Sequence, residues 1–232
     1  MKLTIKEIKK EAQNAYSFVF NKDDNISWKA GEFLLVTIPH DNPDDRGIMR
    51  PISISAAPSE GIVMITTRYF GKDSSTFKKK LMSLKVGDSI DVEKKDPMFQ
   101  PFFNADDPER TYIFLTAGIG ITPVRFVIKE YSINNRNLKG TLLYANKDDE
   151  YIFGEELDDM VKNMKSFTIQ KYHGRRITKD TLEELLKHYD NPVFNISGTV
   201  KFTEQMKDIL LNQLHVVNEN VRVSSFGKGY DN

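Results

Sequence analysis

Residues 116–125, TAGIGITPVR, directly follow an apolar run and combine glycines with a threonine and a proline. Gly118 and Gly120 lack a Cβ, so the backbone can turn sharply and approach a bulky anion. Thr122 suits the N-cap of a following helix, and Pro123 suits its first helical position, where a missing N–H costs nothing. The free N–H groups of the helix would then face the anion. The stretch predicts a phosphate-binding turn, with a tight turn that binds nothing as the alternative.

A second turn of the same kind occurs in NISGT, where a strand-like segment ends in Ser197 and Gly198, and Thr199 suits an N-cap. The first turn is neither a G-x-G-x-x-G fingerprint, because Pro123 takes the sixth position, nor a P-loop, because the Gly-Lys pair is missing. Two such turns on one parallel sheet can bracket an extended ligand. An ordinary glycine turn is the alternative for the second one.

The first half of the chain contains two further candidates for binding a phosphate. Arg50 precedes the serine-lined segment PISIS; its guanidinium can take two phosphate oxygens, and Ser53 can offer a hydroxyl to a polar ring edge. Ser74, Ser75 and Thr76 stand at the start of a predicted helix, SSTFKKKLMSL, whose N–H groups suit a phosphate. The alternatives are a barrel strand with a solvated serine face and a plain helix cap.

The elements that must position these residues differ between the two halves. Up to about residue 100, short segments rich in Val, Ile, Thr and Phe are separated by turns such as NKDDN and APSEG, which is typical of an antiparallel barrel or sandwich. From TYIFLTA onward, strand-like and helix-like segments alternate strictly. That alternation predicts a parallel sheet with crossover helices. We therefore expect two domains, residues 1–104 and 105–232.

The composition excludes several classes of protein. Lys plus Arg equals Asp plus Glu at 33 each in 232 residues, so no net field attracts nucleic acid. There is no cysteine, which excludes disulfides and cysteine-ligated metal or iron–sulfur centres and is typical of a cytoplasmic protein. The 4 histidines are far apart, so no metal site is expected. No apolar run is long enough for a membrane span, and the N-terminus lacks the features of a signal peptide.

Several segments occur in the order seen in one known family. WKAGEFLLVTIP, RPISISAAP, GKDSSTF, KVGDSIDV, TAGIGITP, ISGT and SSFGKGY together resemble the ferredoxin–NADP⁺ reductase superfamily over nearly all of the chain. The resemblance implies an FAD-binding β-barrel domain at 1–104 and an NAD(P)-binding α/β domain at 105–232. It also implies that FAD is bound rather than FMN, and that a nicotinamide nucleotide is the second ligand.

The resemblance also assigns residues to the flavin. Arg50 matches the arginine that holds the flavin pyrophosphate, and Ser53 matches the serine beside flavin N5, which makes it a predicted catalytic residue. The start of the predicted helix matches the segment that cradles the FAD phosphates. The residues expected at the flavin are Arg50, Pro51, Ile52, Ser53, Thr66, Arg68, Ser74, Ser75, Thr76 and Phe226.

For the nicotinamide nucleotide, Ser197 and Gly198 match a Cys-Gly pair near the nicotinamide, so Ser197 is the second predicted catalytic residue. The residues that match the nucleotide phosphate loop are Gly118, Gly120, Thr122 and Pro123. Several positions depart from the family pattern, and two of them are predicted site residues. Ile52 replaces a tyrosine that stacks on the flavin ring, and Ser197 replaces the cysteine.

The resemblance implies an oxidoreductase in which NAD(P)H reduces a bound flavin, which passes electrons to an external redox protein or small acceptor. Such chemistry belongs to the cofactors, so no catalytic triad is required. A non-catalytic electron-transfer or regulatory subunit is the alternative, favoured by Ile52 and Ser197. A nucleotide-binding module without flavin is a third. The choice between NADH and NADPH stays open, because basic and acidic residues adjoin in the relevant loops.

Overall fold

The computed structural model describes residues 1–21, 26–29, 31–94, 102–104, 107 and 109–227. Its first half is a 6-stranded sheet in the order β4-β3-β6-β1-β2-β5, and every strand pairing among its described residues is antiparallel. The strands are β1 (Lys2–Ala12), β2 (Ala15–Asn21), β3 (Phe33–Thr37), β4 (Met49–Ser53), β5 (Ile62–Arg68) and β6 (Ser89–Lys94). One helix, α1 (Thr76–Ser83), interrupts them where the sequence predicts it.

The two outer strands of this sheet close it into a barrel. Just beyond β4, Ile54 forms an antiparallel bridge with Ile65 of β5. The Ser55 N–H then donates to the Met64 carbonyl oxygen at 2.8 Å. Closure removes the free sheet edges and fills the interior with apolar side chains such as Phe18. The predicted antiparallel barrel is confirmed.

The second half, called the α/β half below, is a parallel 5-stranded sheet in the order β11-β10-β7-β8-β9. Its elements are β7 (Thr111–Ala117), α2 (Thr122–Ile133), β8 (Lys139–Asn146), α3 (Gly154–Val161), β9 (Phe167–His173), α4 (Lys179–His188), β10 (Val193–Thr199), α5 (Val200–Asp208) and β11 (Val221–Phe226). This confirms the predicted alternation. The chain builds outward from β7 through β8 to β9, then returns to the other side of β7. The order in which strands are added therefore reverses between β7 and β10, and open α/β sheets bind ligands at such a position.

The halves share one apolar core. A continuous cluster of buried side chains includes Phe18 and Phe77 of the barrel together with Phe114 and Tyr131 of the α/β half. Phe103, in the connection, packs its ring edge-on against Tyr131 at 5.7 Å between centroids. A separate cluster covers the other face of the parallel sheet, under α4 and α5. The expected domain boundary falls beside residue 105, which lies outside the described residues, and stays a prediction.

Two further findings, on membrane spans and on metal ions, concern the described part of the chain. Each described helix is too short or too polar to cross a bilayer. No group of three His, Asp or Glu side chains in the same part is placed to hold a metal ion.

Candidate functional site

The glycine turn begins where β7 ends, at Ala117. Gly118–Ile121 form a 3₁₀ turn, and α2 starts directly at Thr122. The interpretation of Thr122 as an N-cap is wrong: its backbone is already helical, with φ −55° and ψ −50°, and its hydroxyl donates to the Ile119 carbonyl oxygen at 3.2 Å. The 3₁₀ turn displaces the helix start by one residue. Pro123 is therefore the second residue of α2 and not, as predicted, the first, although it stays in the first turn, where its missing N–H breaks no helical hydrogen bond.

The two glycines of this turn are needed for different reasons. Gly118 has φ +54°, which disfavours residues with a Cβ. Gly120 packs on the neighbouring strand: a Cβ there would lie 2.2 Å from the Ser197 carbonyl oxygen and 2.7 Å from the Gly198 nitrogen. The two predicted phosphate-binding turns are therefore in direct contact between β7 and β10, where the strand order reverses.

Ser197 is fully buried, and its hydroxyl has no hydrogen-bond partner among the described residues. Its partner across the ladder, Thr116 of β7, is also fully buried and also lacks a partner in that part of the chain. Gly198 is buried beside them, and Thr199 caps α5 as predicted, accepting from the Phe202 N–H at 3.4 Å. In this conformation the Ser197 side chain does not reach the surface. Buried hydroxyls without a partner are uncommon in proteins.

Phe226 ends β11 and pairs in register with Thr199. Its side chain is half-buried. The predicted C-terminal aromatic residue therefore lies beside the second glycine turn.

In the barrel, Arg50 and the start of α1 surround a single carboxylate, that of Asp44. Arg50 Nη2 lies 2.6 Å from Asp44 Oδ1, and the Thr76 N–H donates to Asp44 Oδ2 at 3.3 Å. Arg50 Nη1 also donates to the Arg46 carbonyl oxygen at 2.6 Å, which fixes the guanidinium in place. We call this arrangement of Arg50 and Thr76 the cradle. Arg50 Nε is buried and has no partner among the described residues.

The hydroxyls at the start of α1 are used locally. Ser75 is the N-cap of α1 and accepts from the Lys78 N–H at 3.3 Å, while Ser74 accepts from the Phe70 N–H at 2.7 Å. Plain capping, the alternative raised from the sequence, thus describes the Ser75 side chain. The N–H at the first helical position is the one directed at Asp44.

Positive charge accumulates around the cradle. Burial lowers the pKa of Lys78, and the charges of Arg46, Arg68 and Arg50 lower it further. Within the described part of the chain, neither Lys78 nor Arg46 nor Arg68 forms an ion pair, so Asp44 is the one carboxylate paired there. The hydrogen bond from the Arg46 N–H and the charge of Arg50 outweigh burial and hold the pKa of Asp44 below its ordinary value. The group therefore has cations in excess.

Arg68 links this positive group to the glycine turn. It extends from the end of β5 and donates through Nη2 to Asn146 Oδ1, at the end of β8, at 2.9 Å. The same Nη2 lies 3.4 Å from where a Cβ of Gly118 would be. The barrel thus contributes a cation to the edge of the parallel sheet at which its ligand site is expected.

The remaining predicted flavin residues are divided between surface and interior. Pro51 is exposed and Ile52 half-buried. Ser53 is only 7% exposed and Ser55 is fully buried, so the alternative of a solvated serine face is wrong: closure of the barrel covers that face. Thr66 faces the interior, where its hydroxyl lies 2.8 Å from Ser55 Oγ. Any contact between Thr66 and a flavin therefore falls to its main chain.

Arg125 is a site residue that the sequence reasoning missed. It extends from α2, is 4% exposed, and uses all five of its N–H donors. Nη1 donates to the Ser55 carbonyl oxygen and to Glu60 Oε2, both at 2.8 Å, and Nη2 to Glu60 Oε1 at 2.9 Å. The two remaining bonds go to Glu156 of α3, at 2.7 and 2.8 Å. Burial lowers the pKa of Arg125, but its bonds to Glu60 and Glu156 more than reverse this, so it stays charged.

Asp44 and Lys78 were also missed. Neither belongs to a motif, and charged residues in loops and on helices are usually solvated, so their types carried no signal. Arg125 was within the opening stretch, but its partners Glu60 and Ser55 are distant in sequence. No spacing rule connects such residues.

The order of the two sheets and the paired glycine turns define a two-domain fold of the ferredoxin–NADP⁺ reductase type. The flavohaemoglobin-like FAD/NAD-binding domain of nitric oxide dioxygenase from Vibrio cholerae matches with a TM-score of 0.78 at 20% identity, over 97% of this chain and 98% of that domain. Ferredoxin–NADP⁺ reductase from Plasmodium falciparum matches at 0.76 and 16% identity, over 97% and 95%. The resemblance found in the sequence is confirmed at the level of the fold.

In sequence, the chain is similar to the ferredoxin reductase component of 3-ketosteroid-9-alpha-monooxygenase from Mycobacterium tuberculosis, with 26% identity in an alignment that is 243 positions long. The alignment includes 97% of this chain but 65% of that relative, so the chain spans only part of its length. No protein-family model matches the chain.

Proposed function

We propose that the chain is an NAD(P)H-dependent flavin oxidoreductase that transfers electrons to an acceptor outside the chain. One observation carries this proposal: the excess of positive charge around Arg50 and Lys78 extends through Arg68 to the turn at Gly118. Two places proposed to bind phosphate thus lie at one junction, one on the barrel and one on the parallel sheet. A flavin nucleotide and a nicotinamide nucleotide both carry phosphates and would meet there.

The donors of the cradle suit a flavin phosphate. The Arg50 guanidinium and the Thr76 N–H already converge on one anion, and the buried Arg50 Nε has a donor to spare. Ser53, Pro51 and Ile52 follow Arg50 along β4 and would flank the ring. We propose FAD rather than FMN for two reasons. The fold is similar to that of an FAD/NAD-binding domain. The segment Ser74-Ser75-Thr76 also resembles the family segment that cradles the FAD phosphates. Thr66, Ser74 and Phe226 stay predicted flavin contacts.

At the parallel sheet, Gly118, Gly120, Thr122 and Pro123 are proposed to hold the phosphates of NADH or NADPH, because the first turn of α2 presents main-chain N–H groups. Ser197 and Gly198 are proposed to lie near the nicotinamide. The Ser197 side chain is fully buried in this conformation, so the family pattern is what supports this placement. Lys147 and Arg175 lie in the loops that could meet a 2′-phosphate, and the choice between the two nucleotides stays open.

The chemistry belongs to the cofactor: a bound flavin accepts a hydride from reduced nicotinamide and can release the electrons singly. The chain's own residues contribute binding and orientation. Arg50 and Thr76 fix the phosphate, the barrel strand at Ser53 sets the position of the ring, and the glycine turn brings the nucleotide toward it. Ser53 and Ser197 are the proposed catalytic residues.

The acceptor is proposed to be a redox protein of the ferredoxin type, in line with the named role of the Mycobacterium tuberculosis relative. The sequence has no cysteine, so a cysteine-ligated iron–sulfur centre would belong to that partner. A cytoplasmic location is part of the same proposal.

A non-catalytic electron-transfer or regulatory subunit is the second candidate. It is favoured by the closed position of Ser197 and by Ile52, which cannot stack on a flavin ring as an aromatic side chain would. Such a subunit would retain the fold and the flavin without oxidising the nucleotide.

The test is an absorbance spectrum of the purified chain, identification of the released cofactor, and steady-state oxidation of NADH and NADPH with ferricyanide. We expect a flavin spectrum, FAD on release, and turnover with at least one nucleotide. A colourless chain that does not take up FAD or FMN would refute the proposal. A flavin-loaded chain without turnover would favour the non-catalytic subunit.

A further inference from the structure

The Asp44 carboxylate occupies the place in the cradle proposed for the flavin phosphate. Its Oδ1 lies 2.6 Å from Arg50 Nη2, and its Oδ2 accepts from the Thr76 N–H at 3.3 Å. Arg50 and Thr76 are also two of the residues proposed to hold the phosphate. Both groups are anions that need the same donors, so they cannot occupy the cradle together.

The charges around the cradle favour the phosphate over the carboxylate. Burial lowers the pKa of Lys78, and the nearby charges of Arg46, Arg68 and Arg50 lower it further, whereas Asp44 supplies a single negative charge through its ion pair with Arg50. A phosphate offers more acceptor oxygens, and a flavin phosphate or pyrophosphate carries up to twice that charge. Asp44 thus compensates the cluster only in part.

Asp44 can leave the cradle without disturbing the barrel. It lies in the loop between β3 and β4, and its side chain is 22% exposed. Its own N–H donates to Thr76 Oγ1 of α1 at 2.9 Å, a main-chain bond that does not depend on where the carboxylate points. Besides the cradle donors, the carboxylate accepts only a local bond from the described residues, that of the Arg46 N–H at 3.1 Å. No strand pairing includes it.

From these contacts we infer that Asp44 is an internal competitor for the flavin phosphate, occupying the cradle when it is empty of cofactor and displaced when the phosphate binds. The inference rests on the proposed function, because the phosphate belongs to the proposed flavin. It makes Asp44 a determinant of cofactor affinity that acts against binding. Removing its charge should therefore tighten binding, whereas most substitutions in a binding site weaken it.

The test is a fluorescence titration of the flavin-free protein with FAD, FMN and riboflavin, comparing the wild type with Asp44→Asn and Asp45→Asn. Asp45 is the exposed neighbour in the same loop, so its substitution controls for the change in net charge. We expect Asp44→Asn to tighten binding of FAD and FMN about tenfold or more, the scale of one charge-assisted interaction. Asp45→Asn should change affinity by no more than about twofold, as for an exposed charge.

Riboflavin has no phosphate, so its affinity should be the same in all three proteins. Asp44→Ser is the second variant, since an asparagine oxygen can keep some bonds of the carboxylate. If the wild type binds FAD and both Asp44 variants bind it equally well or more weakly, the inference is refuted and the proposed function stands. Equal tightening for riboflavin would also refute it. If no variant binds any flavin, both are refuted.

Discussion

At the scale of single residues, Ser55 and Ser197 are equally buried but differ in whether their hydroxyls form hydrogen bonds. Both side chains are fully buried. The Ser55 hydroxyl donates to the Met64 carbonyl oxygen at 3.1 Å and lies 2.8 Å from Thr66 Oγ1. The Ser197 hydroxyl has no partner in the described part of the chain. A buried polar group without a partner costs free energy, so the Ser197 hydroxyl lowers the stability of the fold.

We therefore predict opposite effects of alanine at these two positions in the flavin-free protein. Ser55→Ala should lower the free energy of unfolding by about 1–2 kcal/mol, because it leaves Thr66 with an incomplete set of bonds. Ser197→Ala should leave it unchanged or raise it by up to about 1 kcal/mol, because it removes a desolvated hydroxyl that bonds to none of the described residues. Denaturant unfolding measures both. A loss at Ser197 as large as that at Ser55 would contradict the prediction.

At the scale of elements, the turn between β7 and α2 is shaped by contact with its neighbour as much as by its own backbone. Gly118 needs a positive φ, and Gly120 needs space against the carbonyl of Ser197. The second requirement comes from β10, which joins the sheet only late in the chain. Because the contact is with backbone atoms, no rotation of a side chain can relieve it.

Alanine substitutions should separate these two requirements. Gly118→Ala should cost about 1–2 kcal/mol in unfolding free energy, the strain of a left-handed residue, because only the flexible end of Arg68 lies nearby. Gly120→Ala should cost about 3 kcal/mol or more, because the turn and β10 must move apart. Thermal or denaturant unfolding provides the comparison. Equal costs at the two positions would show that the contact with Ser197 is unimportant.

At the scale of the whole molecule, Arg125 fixes the barrel relative to the α/β half. It bonds to Ser55 and Glu60 on the barrel side and to Glu156 within the α/β half. Ser55 is two residues from Ser53, and Arg125 is three residues from Thr122. The same guanidinium therefore connects the strand proposed to position the flavin with the helix proposed to bind the nucleotide. Under the proposed function the chain must orient two cofactors, and we propose that this connection sets their approach.

Glu60 and Glu156 can be compared to test this connection, because each accepts two bonds from Arg125 but only Glu60 lies across the junction. Each also has a partner on its own side: the Ala57 N–H for Glu60, at 2.7 Å, and Lys129 Nζ for Glu156, at 2.9 Å. We predict that Glu60→Gln increases amide hydrogen exchange in the turn Pro58–Glu60 and the first turn of α2. Glu156→Gln should leave the exchange of the Pro58–Glu60 turn unchanged. Hydrogen-exchange mass spectrometry measures both. Equal loss of protection in that turn would mean that Arg125 stabilises the fold without holding its halves together.

Much of this architecture could be predicted from the sequence because it depends on local rules. Alternation in TYIFLTAGIGITPVRF and the segments that follow predicts the parallel sheet, and the caps at Ser75 and Thr199 form where their residue types indicate. The positions of the glycine turns are predicted by the same local rules, and their binding of phosphate stays a prediction. The N-cap at Thr122 was wrong because the intervening 3₁₀ turn places Thr122 inside the helix.

The sequence by itself determined the two-domain order, the positions of the turns and the residue types that can face phosphates. Only the tertiary structure decided which charges meet: Asp44 with Arg50 and Thr76, Arg68 with the turn at Gly118, and Arg125 with Glu60. The physical reason is that secondary structure follows from short-range sterics and hydrogen bonding. A charge in a loop has no period, so its partner is set by barrel closure and by the docking of the two halves.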